Sequence, residues 1–597
     1  MVDYRPPLRD IKFVLEHIAG IDEIALLPGF EHVDRDVVFA AVDEAGRFTA
    51  EVVAPVNTIG DQVGAKRLED GSVRVPEEFT RAYQQYVAAG WNALRGPVEF
   101  GGHGFPTVVG AVMVEMMASA SMALALCPML GVGAVATLLA HGSDELKAMF
   151  VEKMISGEWS GTMVLTEPQA GSDLGMLTTR AEPGDDGTWR VFGTKIFITW
   201  GEHDMVGNIV HLVLARAPGA PPGTKGISLF VVPKYLVERD GSLGERNDVT
   251  CVSIEHKVGI HASPTCVMAF GDNDGAVGYL VGELHQGMRA MFTMMNDARL
   301  NVGLQGPAVA ERAFQLALAH AQERRQGRAP GALASEAALI IDHPDVRRML
   351  MIMKANIEAM RALMYANAAL LDHAEHAADP AARERALAEA SLLTPVAKAW
   401  GSDTGVEVAS LGIQVHGGMG YVEETGAAQF WRDLRIAPIY EGTNGIQAID
   451  LVLRKLPMDG GNVVRRYLDQ FEALDADLAA GGTALASIRD GLAQGLAALR
   501  EATEALLDAA DPNDAQAGAS PYLELFGIVA GGYYLAKSAV AAHRLARGNG
   551  DDGFYAAKVA TARFYHEQIV PKARGLLEAA TAPASVLFEI EPKLLGG

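Results

Sequence analysis

A glutamate set between an aromatic residue and a glycine, Tyr440-Glu441-Gly442, is the group in this chain best suited to moving a proton. On a short connection between helices such a carboxylate is partly desolvated, which brings its pKa toward the working pH of a general base. The same placement also suits an acid that caps a helix N-terminus. Just upstream, IQVHGGMG places Gly417, Gly418 and Gly420 in a loop open to close approach, with Gln414 able to offer an amide. Arg324, Arg325 and Arg328 cluster at the end of a helical run, a pattern that fits phosphate but also a solvated helix C-terminus. The loop LTEPQAGSDLG, Leu165 to Gly175, sets Thr166, Ser172 and free backbone N–H groups where they can meet the edge of a planar polar ring, or cap an ordinary turn. In GTKIFITWG, Gly193 to Gly201, Phe197 and Thr199 alternate with Ile196 and Ile198, which puts an aromatic and a hydroxyl on one strand face. Such a stripe serves a core equally well.

These groups need a scaffold, and the chain changes texture three times. Up to about residue 160 helix signals dominate: patches at 9–19 and 34–45, a helix opened by Pro76-Glu77-Glu78 and running to Trp91, and another from Ser143-Asp144-Glu145 to Ile155. From Met116 to Ala140 no charge occurs, and the expectation is two buried helices broken at Pro128 rather than a membrane span. Residues 161–282 hold short runs rich in β-branched and aromatic residues, bounded by Gly, Pro and Asp, which read as an antiparallel, barrel-like or sandwich domain. Helices return at 283–460, with long runs at 343–375 and 381–412. An Ala/Leu-rich helical block fills 461–597, interrupted by a loop at Asp511–Pro521 and a turn at Gly548–Gly553. Helices, strands and helices in separate blocks make an α+β fold.

Composition narrows the chemistry. The chain has 597 residues, 49% of them hydrophobic and 21% charged, enough for several cores without staples. A net charge of −24 disfavours nucleic acid and anionic membrane surfaces as partners. Cys127, Cys251 and Cys266 offer neither a disulfide framework nor a metal pair, which fits a reducing cytosol. No secretory leader opens the chain. Phosphate-loop, dinucleotide, zinc-protease and serine-hydrolase motifs are missing.

In this order, from about residue 80 to 455, the segments resemble the acyl-CoA dehydrogenase family of flavoproteins, and in length the long bacterial branch of it. The turn Ser263–Thr265 and the run VGYLVGELHQGMRAMFTMMNDARL leading into Arg299 belong to the same match. The resemblance implies a helical N-domain, a β-domain and a four-helix bundle, here with an extra C-terminal helical domain, and FAD shared across a subunit interface in at least a dimer. It implies that Met163, Leu165 and Thr166 line the flavin, with Phe197 and Thr199 on its other side. Ser172 would reach the flavin or the CoA arm, and Arg299 the CoA arm. Arg324 of a neighbouring subunit, with Gln414, Gly417 and Gly418, would hold the pyrophosphate and adenosine, and Thr443 would touch the cofactor. The family often reads E-R-x-x-F-G where this chain has Glu323-Arg324-Arg325-Gln326-Gly327, one residue shorter and without the aromatic.

Glu441 matches the usual catalytic base. Some branches put the base directly before the arginine equivalent to Arg299, where this chain has Ala298, which carries no proton. The implied reaction removes the α-proton of an acyl-CoA thioester and passes the β-hydride to flavin, giving a trans-2-enoyl-CoA. The Glu441 N–H and a cofactor hydroxyl would hold the thioester carbonyl. Substrates of this branch are 3-methylthiopropanoyl-CoA and short to long fatty acyl-CoA, with an electron-transfer flavoprotein as acceptor. An oxidase on the same fold, or a non-catalytic DNA-protecting relative, are the alternatives, and the acidity of the chain opposes the second.

Overall fold

A computed structural model describes residues 3–328, 337–546 and 553–596. The chain divides into two compact units, one of Met1–Glu44, Thr107–Glu115 and Val302–Gly597, the other of Ala45–Pro106 and Met116–Asn301.

The second unit is built on an eight-stranded sheet. Strand Trp189–Thr199 pairs antiparallel with Thr265–Phe270, Ala276–Val281 and Arg180–Pro183. Ala276–Val281 leads through Ile227–Pro233 to Asn208–Arg216, which meets Arg180–Pro183 again at Arg216, so five strands close on themselves. The sheet is mostly antiparallel, as expected, while Trp159–Val164 joins Asn208–Arg216 in parallel. An intervening stretch of loops and strands lets the chain return in the same direction. Val191, Val213 and Phe230 fill the interior, each with no exposure.

In the helical part of this unit the break falls at Ser121 (φ −156°, ψ 102°) and not at Pro128, inside a helical stretch recorded as Thr107–His141. The physical reason is capping. Ser121 Oγ accepts the Leu124 N–H, whereas a proline has no side-chain acceptor to offer a new helix start. The lead also holds π-helical turns at Leu15–Ala19 and Thr49–Val53 and a small ladder, Lys66–Arg67 with Val73–Arg74, that periodicity did not announce. The other early helices run Arg35–Phe48, Glu77–Ala88 and Asp144–Ser156, close to expectation.

The first unit is helical. Pro344–His376 and Pro380–His416 match the two long runs expected there. Gly287–Glu323 crosses Pro380–His416 through glycines. A Cβ on Gly306 would lie 2.1 Å from the Gly401 carbonyl oxygen, and one on Gly405 would lie 2.6 Å from the Gly306 Cα. Only glycine admits that approach. In the C-terminal block the stretch Asp511–Pro521 is not a plain loop. It contains Pro512–Ala517, started by Asp511, whose carboxylate accepts the Asn513 N–H at 2.8 Å. The expected turn at 548–553 lies outside the described residues except for Gly553. Among the described residues two helices, Thr107–His141 and Ala519–Leu545, are long and apolar enough to cross a membrane, yet 78% and 89% of their apolar windows are buried inside the protein.

A cluster of buried charges organises this unit. Arg361, 1% exposed, reaches Asp10 at 2.6 Å, Glu115 at 2.7 Å and Glu311 at 3.1 Å. Lys558, from the C-terminal block, reaches Asp10 at 2.6 Å and Glu358 at 2.8 Å. Tyr365 donates its hydroxyl to Glu115 at 2.7 Å. Burial alone would raise the Asp10 carboxyl, but Lys558 and Arg361 hold it well below the usual carboxylate range. Its stabilisation is therefore complete above that range and is lost as the pH falls below it.

Lys558→Met leaves Asp10 and Glu358 each short of a counter-charge, and the expected cost is about 3–5 kcal/mol, the usual effect of breaking a buried pair. A lowered midpoint in thermal or urea unfolding would show it; an unchanged midpoint would mean the cluster carries no such role.

Candidate active site

In the β-containing unit the organising contact is an ion pair that sequence reading passed over. Lys195 Nζ lies 2.9 Å from Glu167 Oε1, with the two side chains 0% and 2% exposed, and donates also to the Leu165 carbonyl at 2.9 Å. Glu167 accepts the backbone N–H groups of Thr178 at 2.7 Å and Thr179 at 3.0 Å. Burial pushes the Glu167 carboxyl up, but Lys195 and these donors bring it down to about 2. Burial lowers Lys195 to about 8 against the pull of Glu167. The signal in sequence was a Glu at the fourth residue of VLTEP and a Lys in the facing strand, GTKIF, which alternation alone does not pair.

This pair fixes the loop that carries most of the expected flavin contacts. Met163 and Thr166 are half-buried, Leu165 is buried, and the Thr166 carbonyl accepts the Ile196 N–H at 2.9 Å. Ser172 stands exposed on the following turn. The facing strand departs from regular alternation. Its register shifts between Ile198 and Lys195, both of which are buried, and Phe197 takes φ +60° with its side chain 58% exposed. A bulge inserts a residue and re-aims its side chain, so Phe197 and Thr199 are not set by simple two-residue periodicity. Thr199 pairs with Thr265 of the Ser263–Thr265 turn, and Trp200 follows at φ +54°, fully buried. Arg299 is half-buried on Gly287–Glu323.

In the helical unit Glu441 is half-buried and adopts φ +58°. Left-handed backbone at a side chain of this size costs on the order of 1–3 kcal/mol and persists only where neighbours over-determine it. Those neighbours are present. The Tyr440 hydroxyl donates to Gln305 Oε1, and burial with the nearby Glu441 holds that phenol above its usual range. Gln447 donates to the carbonyls of Glu441 at 3.2 Å and Gly442 at 3.4 Å. Thr443 caps Asn444–Asp450 by accepting the Ile446 N–H, so the capping role belongs to Thr443 and not to Glu441. Asn444 takes a bond from the buried Lys398 at 2.7 Å and gives one to Ser402 at 3.0 Å. Sequence reading missed Gln305, Lys398 and Gln447, since each acts from a helix whose pattern reads as core.

The helix ends bearing the remaining candidates lie together. His320 and His416 stack with ring centroids 4.5 Å apart, one on each helix. Arg324 follows the first by one turn, and Gln414 precedes the second; both are exposed. Burial, then His416 and Arg324, lowers His320 below its ordinary value. Of the three glycines expected to make a close-approach loop, only Gly420 does so within the chain, where a Cβ would meet the Ile413 carbonyl oxygen at 2.2 Å. Gly417, at φ +60°, and Gly418 are exposed, and a Cβ on either would meet nothing within 4 Å.

Family models cover nearly the whole chain. The N-terminal, middle and C-terminal domains of acyl-CoA dehydrogenase match residues 40–158, 162–273 and 285–456. The chain belongs to the acyl-CoA dehydrogenase family. A further match, "Acetyl-CoA dehydrogenase C-terminal like", takes residues 467–591. A 3-methylmercaptopropionyl-CoA dehydrogenase of Ruegeria pomeroyi is 50% identical over 95% of this chain and 96% of its own. A butyryl-CoA dehydrogenase of Syntrophomonas wolfei is 36% identical over 97% of both. A broad-specificity linear acyl-CoA dehydrogenase of Mycobacterium tuberculosis is 35% identical over 96% of both. Among solved structures, Caenorhabditis elegans ACDH-11 in complex with C11-CoA superposes with a TM-score of 0.76 at 20% identity, covering 96% of this chain and 93% of that one. An FAD-complexed acyl-CoA dehydrogenase from Bacillus anthracis gives 0.71 at 20% identity, covering 96% and 92%. This acyl-CoA dehydrogenase is thus an oxidoreductase of a family that uses FAD.

Lys195→Met removes the only cation paired with Glu167 among the described residues and leaves a buried carboxylate uncompensated, at about 3–5 kcal/mol. The expected result is purified enzyme with much less bound flavin per chain, read by absorbance after gel filtration. Full flavin content would show that the Leu165–Gly175 loop does not depend on the pair.

Proposed function

We propose that the enzyme dehydrogenates 3-methylthiopropanoyl-CoA, and with it short straight-chain acyl-CoA thioesters, with Glu441 as the base. The substrate reading is supported by the 50% identity over 95% of the chain to a dehydrogenase named for that thioester, the base by the restrained left-handed loop at Glu441. FAD, when bound, accepts the hydride that leaves the β-carbon.

The residues fit such a cofactor. An exposed guanidinium at Arg324, an exposed amide at Gln414 and the open faces of Gly417 and Gly418 match a pyrophosphate with its adenosine, contributed by a second copy of the chain in a homodimer. Met163, Leu165, Thr166, Phe197 and Thr199 would border the ring, Ser172 and Arg299 the CoA arm, and Thr443 the cofactor beside the base. The divisions 1–160, 161–282, 283–460 and 461–597 are the corresponding functional domains. Cys127, Cys251 and Cys266, all buried thiols, support a reducing cytoplasm, and an electron-transfer flavoprotein is the proposed acceptor.

The work of the chain itself is to make a weak carbon acid give up its proton. Glu441 stands on a loop that Gln305, Lys398 and Gln447 hold from three different helices, so its carboxylate is pre-positioned and no loop entropy is lost at the moment of transfer. An apolar acyl chain packed beside that carboxylate strips water from it and strengthens it as a base. Backbone donors at the thioester carbonyl oxygen stabilise the charge that develops there as the proton leaves.

Glu441→Gln should retain FAD while kcat falls about 10²- to 10⁴-fold, the span general-base catalysis supplies. Activity near the wild-type level would place the base elsewhere. In a panel of methylthio-, straight-chain and branched acyl-CoA thioesters, 3-methylthiopropanoyl-CoA should give the highest kcat/KM. A reduced enzyme that air reoxidises faster than an electron-transfer flavoprotein does would favour an oxidase instead.

A further inference from the structure

The turn Ser263–Thr265, joined through Thr265 to Thr199, is anchored by an imidazole that takes no part in the proton transfer. His261 Nδ1 lies 2.9 Å from the Asp61 carbonyl oxygen and 2.9 Å from the Asp61 carboxylate, while Nε2 lies 3.0 Å from the Lys257 carbonyl oxygen. A carbonyl oxygen only accepts, so each ring nitrogen has to donate. A neutral imidazole carries one N–H and would turn a lone pair toward one of these oxygens. The imidazolium satisfies both sides, with the Asp61 carboxylate as its counter-charge.

Two segments of the β-containing unit meet at this ring. Asp61 belongs to the helix Val56–Val63, and His261 to the loop that follows the strand Val249–Ile254. The His261 carbonyl accepts the Ala65 N–H at 3.0 Å, just past the helix. Ala262 packs on Gly60, where a Cβ would lie 3.2 Å from its own. Inside the loop the Lys257 ammonium donates to the Ser263 carbonyl at 2.9 Å, and the Ser263 N–H donates to the Ile260 carbonyl at 2.9 Å. Ile260 is buried and takes φ +47°, a left-handed backbone that a β-branched residue keeps only when its neighbours enforce it. At the far end the Pro264 carbonyl accepts the Trp200 N–H at 2.8 Å, and Thr265 pairs with Thr199. The position of Thr199 therefore depends on a strained loop that one charged ring ties down.

We propose that protonated His261 is a pH-sensitive positioning residue, a latch that holds the loop 257–265 on the helix Val56–Val63 and through it the end of the strand Trp189–Thr199. Its reach to the cofactor rests on the proposal that Thr199 borders the flavin ring. Histidine is the side chain that changes charge between about pH 5 and about pH 8. Facing the ring are the Asp61 carboxylate from the helix and, from its own loop, Lys257, whose ammonium is turned to Ser263. Both ring contacts need an N–H, so the latch is closed at low pH and opens as the pH rises.

Hydrogen exchange of the FAD-loaded enzyme, read by mass spectrometry on peptides spanning 56–66 and 257–265 and corrected for the intrinsic effect of pH, tests the latch. Flavin release on dilution, followed by fluorescence, tests its reach. Protection in both peptides should fall about tenfold from about pH 6 to about pH 8.5, as loss of a charge-assisted hydrogen bond implies, with flavin release quickening in step. His261→Arg, a permanent cation with a fork of donors, should keep exchange and release slow at both pH values. His261→Gln, uncharged and with one donor end, should make both fast throughout, with its melting point checked to show that it folds. Wild-type protection indifferent to pH overturns the proposal, and so does an arginine variant that keeps the wild-type pH dependence. Exchange that follows pH and both variants while flavin release stays constant upholds the latch and overturns the placement of Thr199 beside the flavin.

Discussion

A guanidinium sealed from water is tolerable only when carboxylates surround it, and Arg361 meets that condition with groups drawn from the whole length of the chain. Asp10 comes from the first helix, Glu115 from the start of the long apolar helix, Glu311 from the bundle, and Lys558 returns from the last block to share Asp10. Each charge is stable in the interior because the others are there. The N-terminal lead and the C-terminal block are therefore integral to the helical unit, and neither is an appendage to a finished catalytic core. The helices of that unit hold Gln305, Lys398 and Gln447, which in turn restrain the loop of Glu441.

Periodicity made the long helices legible. Pro344–His376 and Pro380–His416 carry proline at the start and continuous apolar spacing, and both appear within a few residues of expectation. Local chemistry that periodicity ignores decided the exceptions. Ser121 breaks a helix because it can cap one, while Pro128, the obvious breaker, lies inside helix. The parallel pairing of Trp159–Val164 with Asn208–Arg216 depends on a crossover through loops, and no run of residues encodes it.

The site was legible where chemistry is concentrated in a few adjacent residues. Glu441 and Thr443 were readable because an acid, a glycine and a hydroxyl in sequence are informative on their own. Glu167 and Lys195 were not, since they lie on different segments and meet only when the sheet forms. Alternation placed Phe197 on a regular strand face, but its strand bulges and the residue stands out to solvent. Resemblance to a family supplied roles; the fold supplied the partners that make those roles physically affordable.

The glycine contact between Gly287–Glu323 and Pro380–His416 has a different character from the charged cluster. Gly306 and Gly405 bring two backbones together with no side chain between them, and neither protons nor dissolved ions take part in holding that seam. Gln305, the anchor for Tyr440, is the neighbour of Gly306 on the chain. The helix that seats the Glu441 loop is thus aligned in part by shape, and this seam holds through swings of acidity and ionic strength that loosen the electrostatic clasp elsewhere in the unit.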